Sequence, residues 1–190
     1  MTGADRGLGR ELAAQLRDRG ARVYGAARDP QAVDLAGVTA VALDITDPAS
    51  VAAAARAASG VAILVNNAGS STGSSLLTGD LAAIRLEMDT HYFGTLAVTR
   101  ALAPQLAARG SSAVLNILSV LSWLSIPRSG AYCAAKPAEW SLTNALRLEL
   151  APAGHPGDRA ARRLPGHRSS AIAGRRPSGP SAPEQWSPGS

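Results

Sequence analysis

The chain contains a single cysteine, Cys133, among 190 residues, which excludes an intrachain disulfide and any metal site built from several cysteines. Aromatic residues make up only 4%, whereas hydrophobic residues make up 46%, so the core must be aliphatic. No apolar run approaches the ~20 residues needed to span a bilayer, and the first residues lack the cationic start and hydrophobic stretch of a secretory signal. We therefore expect a cytoplasmic protein with no metal site and no membrane partner.

The net charge of +5 is distributed unevenly along the chain. Residues 1–150 carry 13 Lys and Arg against 12 Asp and Glu, whereas residues 151–190 carry six Arg against two acidic residues. The last forty positions also hold seven of the 12 prolines and six of the 19 glycines, and such a composition cannot build a core. We predict one partial domain over 1–150, followed by a disordered Pro/Gly/Arg/Ser-rich tail. Because the tail lacks Lys and has one aromatic, its charge does not predict a nucleic-acid partner.

Apolar runs of strand length recur at residues 21–27, 38–43, 61–65 and 113–118. Helical patterns lie between and after them: one following the first glycines, one opened by the pair Asp47-Pro48, and longer ones over about 81–108 and 129–150. This alternation is typical of parallel strands joined by crossover helices. It predicts an α/β fold with a parallel sheet between helical layers.

Three glycines stand in the pattern T-G-x-x-x-G-x-G, at Gly3, Gly7 and Gly9, directly before an amphipathic helix. The absence of side chains lets the backbone approach a pyrophosphate, which the helix N-terminal amides can hold. Taken alone, the cluster is equally consistent with a tight turn into a helix.

Further motifs follow in order: Leu43-Asp44-Ile45, then Asn66-Asn67-Ala68-Gly69, then Ser119, and finally Tyr132-x-x-x-Lys136. Together with the glycines, this series resembles the short-chain dehydrogenase/reductase family over about residues 2–152. The resemblance implies an incomplete, doubly wound Rossmann-like sheet and hydride transfer between a nicotinamide cofactor and a carbonyl or alcohol.

Tyr132 and Lys136 are four residues apart and share one helix face, where an ammonium would lower the phenol pKa from ~10 and make Tyr132 a general acid/base. The resemblance implies that Tyr132 exchanges a proton with the substrate oxygen, that Ser119 hydrogen-bonds this oxygen, and that Lys136 also holds the nicotinamide ribose. Cys133 is interpreted as a small packing residue.

The cofactor is predicted to be NADP rather than NAD. Arg28 follows the apolar run at residues 21–27, which corresponds to the second strand of the family; NAD-preferring relatives usually carry an acidic residue at this place. A guanidinium there pairs well with a 2′-phosphate. Alternatively, Arg28 and Asp29 form a solvated loop pair. The residues that the resemblance implies for cofactor binding are Thr2, Gly3, Arg6, Gly7, Leu8, Gly9, Arg28, Asp44, Ile45, Asn66, Ala68, Gly69, Tyr132 and Lys136.

Two residues depart from the family pattern near the catalytic set. His91 occupies the place of the family's fourth catalytic residue, an asparagine, and we expect this bulkier, titratable side chain to disturb the water relay to Lys136. If the helix starts near Ser129, Pro137 removes a hydrogen bond to the Cys133 carbonyl and destabilises the helix by ~3 kcal/mol. It would then also distort the register between Tyr132 and Lys136. Alternatively, the helix begins later and Pro137 lies in its first turn.

Two segments of the family fold are missing. The first strand should precede Thr2 in the middle of the sheet, so a gap with unpaired backbone groups is expected between the two halves; one hypothesis is that Met1 is a GTG codon within a longer frame. The sixth strand, a cofactor loop and a substrate lid should follow Pro152. A one-base insertion near this point, shifting the frame into the basic tail, is the hypothesis for the divergence.

The resulting prediction is an NADP-dependent oxidoreductase acting on a small or lipophilic carbonyl or alcohol and pairing as a homodimer or homotetramer. The alternative is a catalytically impaired, nucleotide-binding or oligomerising remnant of the same family. Trp123 and Leu124 either line an apolar substrate pocket or pack in the core or a dimer interface.

Overall fold

The computed structural model describes residues 1–109 and 111–150. The predicted tail and the hypothetical frame shift lie outside these residues. Within these two ranges, nine helices and strands follow one another: α1 (Gly7–Asp18), β1 (Val23–Ala27), β2 (Val38–Ala42), α2 (Pro48–Ala57), β3 (Ile63–Asn66), α3 (Leu81–Met88), α4 (Thr95–Ala107), β4 (Ala113–Asn116) and α5 (Gly130–Glu149). Short 3-10 turns cover Pro30–Ala32 and Val120–Ser122. No helix in the described ranges is long and apolar enough to cross a membrane.

All strand pairs are parallel, as predicted. β1 pairs with β2 from Val23 opposite Val38 to Ala27 opposite Ala42, and β3 pairs with β4 from Ile63 opposite Ala113. The apolar runs thus became strands, each slightly shorter than the run. Asp47 caps α2, because its side chain accepts a hydrogen bond from the Ala49 amide.

The two strand pairs are joined by the first residues of the chain. Thr2 forms a parallel bridge with Ala26, and its amide donates to the Val65 carbonyl at 3.0 Å. Beside Met1, toward the N-terminal ends of β1 and β3, an apolar cavity of about 300 Å³ separates the strand pairs. The predicted gap is therefore present as this cavity, and Met1 and Thr2 bridge it at one end.

The core has two parts, one on each side of the strands. The larger part joins strand residues such as Val41 and Leu64 to Val51 of α2 and to Val98 and Leu102 of α4. The smaller part joins β1 to α1 and contains Ala4, Ala13 and Val23. Helices therefore cover both sides, which confirms the doubly wound architecture.

Helical structure continues from α3 into α4 through a wider π-helical turn, Asp89–Gly94. Such turns are often found at functional sites, and this one carries the buried His91. The last helix, α5, begins at Gly130 with Pro137 in its interior. The alternative in which Pro137 lies in the first turn is therefore wrong: the helix forms across the proline.

Candidate active site

A groove opens where α1 begins, at the C-terminal ends of β1, β2 and β3. The first turn of α1 has no acidic residue, and the Arg6 side chain makes no capping hydrogen bond to it. The helix N-terminal amides therefore retain capacity for an anion. Gly7 has φ +54°, and a Cβ there would meet nothing within 4 Å, so the backbone is open to a ligand at this point.

Gly9 is required for a different reason from Gly7. A Cβ at Gly9 would lie 2.0 Å from the Gly3 carbonyl oxygen and 2.3 Å from the Asn67 side-chain nitrogen. No side chain fits between α1 and the loop before it. Gly9 therefore allows the helix to pack closely enough to form the groove.

Thr2 and Asn67 connect the two loops that form the floor of the groove. The Thr2 hydroxyl oxygen accepts hydrogen bonds from the amides of Asn67 and Ala68, at 3.0 and 2.9 Å. In return, Asn67 Nδ2 donates to the carbonyls of Thr2 and Gly3. This connecting role of Asn67 is not predicted by the motif in which it stands.

The groove encloses about 650 Å³. It is lined by nearly all residues predicted to bind the cofactor on the glycine and adenosine sides: Thr2, Gly3, Arg6, Gly7, Leu8, Gly9, Arg28, Asp44, Ile45, Ala68 and Gly69. Asn66 is placed differently from the expectation, since it is buried at the end of β3. Its Nδ2 donates to Asn116 Oδ1 at 2.8 Å and Thr99 Oγ1 at 3.2 Å, so Asn66 ties β3 to β4 and α4.

Arg28 and Asp44 both line the groove. The Asp44 carboxylate accepts hydrogen bonds from the amide and hydroxyl of Thr46, which lower the pKa of Asp44, and the nearby Arg28 charge lowers it further. The groove therefore presents one cation and one fixed carboxylate. The glycine backbone, helix terminus and charges fit a dinucleotide.

The four predicted catalytic residues come together beside the groove. Ser119 caps the 3-10 turn after β4, with its hydroxyl accepting from the Leu121 amide. Tyr132, in the first turns of α5, has Ser119 as a side-chain hydrogen-bond neighbour. The His91 ring packs edge-on against the Tyr132 ring with centroids 5.1 Å apart, and Lys136 Nζ lies 5.8 Å from the Tyr132 ring centroid.

Lys136 is buried, with 4% of its surface exposed. Its Nζ donates to the Ile117 carbonyl at 2.8 Å and to Glu139 Oε2 at 2.5 Å. The ammonium is thereby fixed between β4 and its own helix, and its nearest counter-charge is Glu139.

His91 connects the groove to the catalytic residues. Its Nε2 lies 2.8 Å from the Ser70 carbonyl and 3.3 Å from Glu87 Oε2, and its ring contacts Gly69 closely enough that a Cβ there would lie 2.8 Å from Cε1. Within residues 1–109 and 111–150, Nδ1 has no hydrogen-bond partner. Burial lowers the pKa of His91, and the hydrogen bond to Ser70 partly opposes this effect.

The prediction that Lys136 lowers the pKa of Tyr132 is wrong for these side chains. The pKa of Tyr132 is raised, chiefly by burial; the Ser119 hydrogen bond lowers it, and the charges of Glu139 and Glu87 raise it. The main physical reason is burial of the phenol; in addition, Glu139 sits against Lys136 and supplies the opposite charge.

Two glutamates of this site were missed by sequence reasoning. Glu87 is fully buried and accepts hydrogen bonds from the Ser70 hydroxyl and the Thr72 amide. Glu139 is 2% exposed and sits between Lys136 and His91. Spacing could have indicated an Lys136 to Glu139 pair, but a pair at i,i+3 on a helix is usually a surface feature.

The amino-acid sequence of the chain is similar to those of known dehydrogenases. The profile of the family described as "short chain dehydrogenase" matches residues 1–155. The human protein "Dehydrogenase/reductase SDR family member 7" is 32% identical over 174 residues, covering 83% of this chain and 51% of the relative. The chain thus spans about half the length of the curated relatives it matches.

Solved structures give the same result. A short chain dehydrogenase from Burkholderia cenocepacia J2315, in complex with NADP, is 39% identical with a TM-score of 0.75, covering 80% of this chain and 65% of that one. A metagenomic short-chain oxidoreductase, also in complex with NADP, is 31% identical with a TM-score of 0.71, covering 78% of this chain and 73% of that one.

Proposed function

Since this chain belongs to the short-chain dehydrogenase family, we propose that it is an NADP-dependent oxidoreductase with Ser119, Tyr132 and Lys136 as its catalytic residues. The reaction is hydride transfer between the nicotinamide and a carbonyl or alcohol. The observation that carries the proposal is that these three side chains lie close together next to a glycine-walled groove. His91 contacts both Tyr132 and Gly69 of the groove.

The choice of NADP rests on Arg28 and on the relatives. Arg28 lines the groove, and its charge acts on Asp44; a guanidinium there can pair with a 2′-phosphate. Gly7 and the first amides of α1 would hold the pyrophosphate, and Ala68 and Gly69 would line the adenosine side. Two structural relatives bind NADP.

In the proposed mechanism the bound nicotinamide supplies or receives hydride. For reduction, the Tyr132 hydroxyl donates its proton to the substrate oxygen as negative charge develops there. Ser119 donates a hydrogen bond to the same oxygen and orients it. Lys136 provides positive charge next to the resulting phenolate and holds the nicotinamide ribose. His91 packs edge-on against the Tyr132 ring.

The substrate class is proposed to be a small or lipophilic carbonyl or alcohol. Trp123 is 64% exposed and Leu124 46% exposed, directly after the Ser119 turn, and the Trp123 ring meets Trp140 of α5 edge-on at 6.2 Å. This apolar surface either borders the substrate or is covered when two chains pair. Pairing as a homodimer or homotetramer is part of the proposal.

A second function is favoured by one observation. Glu139 neutralises Lys136, and the pKa of Tyr132 is raised, which is unfavourable for proton abstraction from an alcohol at neutral pH. This supports a nucleotide-binding protein with impaired catalysis.

One experiment separates the two functions. The purified full chain is mixed with NADPH and, in parallel, with NADH, and binding is followed by thermal shift and by nicotinamide fluorescence. NADPH oxidation is then measured with a panel of aldehydes and ketones. Tight NADPH binding with turnover supports the oxidoreductase, binding without turnover supports the impaired protein, and no binding of either dinucleotide contradicts both.

A further inference from the structure

Behind Tyr132 lies a buried group of four titratable side chains, and the proposed mechanism leaves its two glutamates without a role. The buried quartet, as we call it, consists of Glu87 from α3, His91 from the π-helical turn, and Lys136 and Glu139 from α5. Each is no more than 4% exposed. Charged groups are rarely buried this deeply without a partner, so the contacts within the quartet determine its charge state.

Glu139 makes the central contacts. Its Oε2 accepts the hydrogen bond from Lys136 Nζ at 2.5 Å and lies 3.7 Å from His91 Nδ1. Its Oε1 lies 3.5 Å from the Thr95 hydroxyl, which donates to it. One carboxylate therefore binds the ammonium beside Tyr132 and lies within ion-pair distance of His91 Nδ1.

The charges of the quartet do not balance without another proton. Two carboxylates face one ammonium, and a neutral His91 leaves an excess negative charge in a buried site, which is unfavourable. Burial raises the pKa of Glu139 and lowers that of His91. His91 Nδ1 lies 3.7 Å from Glu139 Oε2, which is too far for a hydrogen bond, so the direct hydrogen-bond partner of this carboxylate oxygen is Lys136.

We propose that Glu139 is a positioning residue for Tyr132: its carboxylate draws the Lys136 ammonium away from the phenol. With Glu139 ionised, the Lys136 charge is neutralised and Tyr132 remains a phenol. Without the Glu139 charge, Lys136 acts on Tyr132 alone, and the phenolate becomes more favourable relative to the phenol. The catalytic consequence rests on the proposed function, but the electrostatic one does not.

The groups facing Tyr132 come from every element packed around it. The charged or titratable ones are Glu87 of α3, His91 of the π-helical turn, and Cys133, Lys136 and Glu139 of α5, while Ser119 of the 3-10 turn supplies a hydrogen bond. Of these, Glu139 is the carboxylate that also binds Lys136. Removing its charge therefore both removes a repulsion on the phenolate and frees the ammonium.

The test is a tyrosine absorbance titration of the full chain without cofactor. Tyr24 and Tyr92 also absorb, so the Tyr132→Phe variant is titrated in parallel and subtracted. In Glu139→Gln, which keeps the size of the side chain, the midpoint for Tyr132 is expected to fall by about 1 pH unit or more, as for loss of a neighbouring charge. Glu149→Gln is the matched control, with the same change ten residues along α5, about 15 Å away, and no shift is expected.

Glu139→Asp supplies an independent measurement. It retains the charge but withdraws it from Nζ, so the midpoint is expected to lie between those of the wild type and Glu139→Gln. If circular dichroism shows that Glu139→Gln is not folded, the Tyr132 midpoint of Glu139→Asp is used to test the inference instead. A folded variant with an unchanged Tyr132 midpoint overturns the inference.

The outcome is separable from that of the proposed function. A lowered midpoint without any turnover of NADPH supports the role of Glu139 and contradicts the oxidoreductase. Turnover of NADPH with an unchanged Tyr132 midpoint supports the oxidoreductase and contradicts the role of Glu139. If both hold, the acid limb of the alcohol-oxidation pH profile should move to lower pH in Glu139→Gln, because the phenolate forms earlier.

Discussion

Lys136 Nζ lies 5.8 Å from the centroid of the Tyr132 ring, one turn further along α5. This relationship holds although Pro137 follows directly and cannot donate the helical hydrogen bond to the Cys133 carbonyl. The two side chains thus keep the shared face that a four-residue spacing predicts. The proline is expected to affect the stability of the helix more than the geometry of the site.

Replacing Pro137 should therefore stabilise the protein. In Pro137→Ala, the new amide can donate to the Cys133 carbonyl, so the free energy of unfolding is expected to rise by about 2 kcal/mol. This rise is smaller than the full cost of an interior proline, because the unfolded chain of the variant also gains conformational freedom. Urea denaturation measures it. Pro127→Ala, in the turn before α5, is the control and should not stabilise; an equal gain in both variants would argue against the missing helical bond as the cause.

Gly9 should not tolerate a side chain. In Gly9→Ala, the new Cβ would lie 2.0 Å from the Gly3 carbonyl oxygen, so we expect a loss of about 2–3 kcal/mol in unfolding free energy and a loss of the thermal shift caused by NADPH. Gly20→Ala is the control, because φ is +85° there but nothing lies within 4 Å. It should lose about 1 kcal/mol from backbone strain and retain NADPH binding.

Arg28 should determine the preference between the two dinucleotides. In Arg28→Glu, the contact to the 2′-phosphate becomes a repulsion, so NADPH affinity should fall by roughly 10- to 100-fold, as for loss of a charged hydrogen bond, while NADH affinity changes little. Titration of nicotinamide fluorescence gives both dissociation constants. Arg56→Glu, on the exposed side of α2, has the same charge change; a similar fall in that variant would mean that net charge, rather than a local contact, is responsible.

His91 should make the stability depend on pH below neutrality. Its folded-state pKa is lowered from the usual 6.5, so the unfolded chain binds the proton first and the free energy of unfolding falls as pH drops through 6.5 toward the folded value. The raised pKa of Glu139 acts in the opposite direction, but His91→Gln retains Glu139. Urea denaturation from pH 8 to 5 measures the free energy of unfolding of both proteins. As the pH falls, the wild type should lose stability relative to the variant. A constant difference would mean that His91 does not titrate.

Much of the fold follows from local sequence signals. The four apolar runs became β1 to β4 because each is bounded by residues that end a strand, and Asp47-Pro48 began α2 because an aspartate cap and a first-turn proline both fit a helix start. The cofactor groove was predicted from the glycine pattern before α1 and from the family resemblance of the motifs that follow it.

The remainder depends on which surfaces meet in three dimensions. Glu139 resembles a surface glutamate in sequence, and only the packing of α5 against the π-helical turn brings it to His91. The contact of Glu139 with Lys136 on the same buried face of α5 changes the expected effect of Lys136 on Tyr132. Asn66 was misjudged for a similar reason: alternation along β3 turns its side chain toward Asn116 rather than toward the groove.

The most direct test of the central claim compares NADPH oxidation by the wild type, Tyr132→Phe and Tyr24→Phe with the same carbonyl substrate. Tyr24 donates to the Ser59 carbonyl at 3.3 Å and is remote from the groove's catalytic side, so its loss should leave the rate nearly unchanged. Loss of the Tyr132 hydroxyl should lower kcat by roughly 10²- to 10⁴-fold with NADPH binding retained. Equal rates in all three proteins would contradict the assignment of Tyr132 as the proton donor.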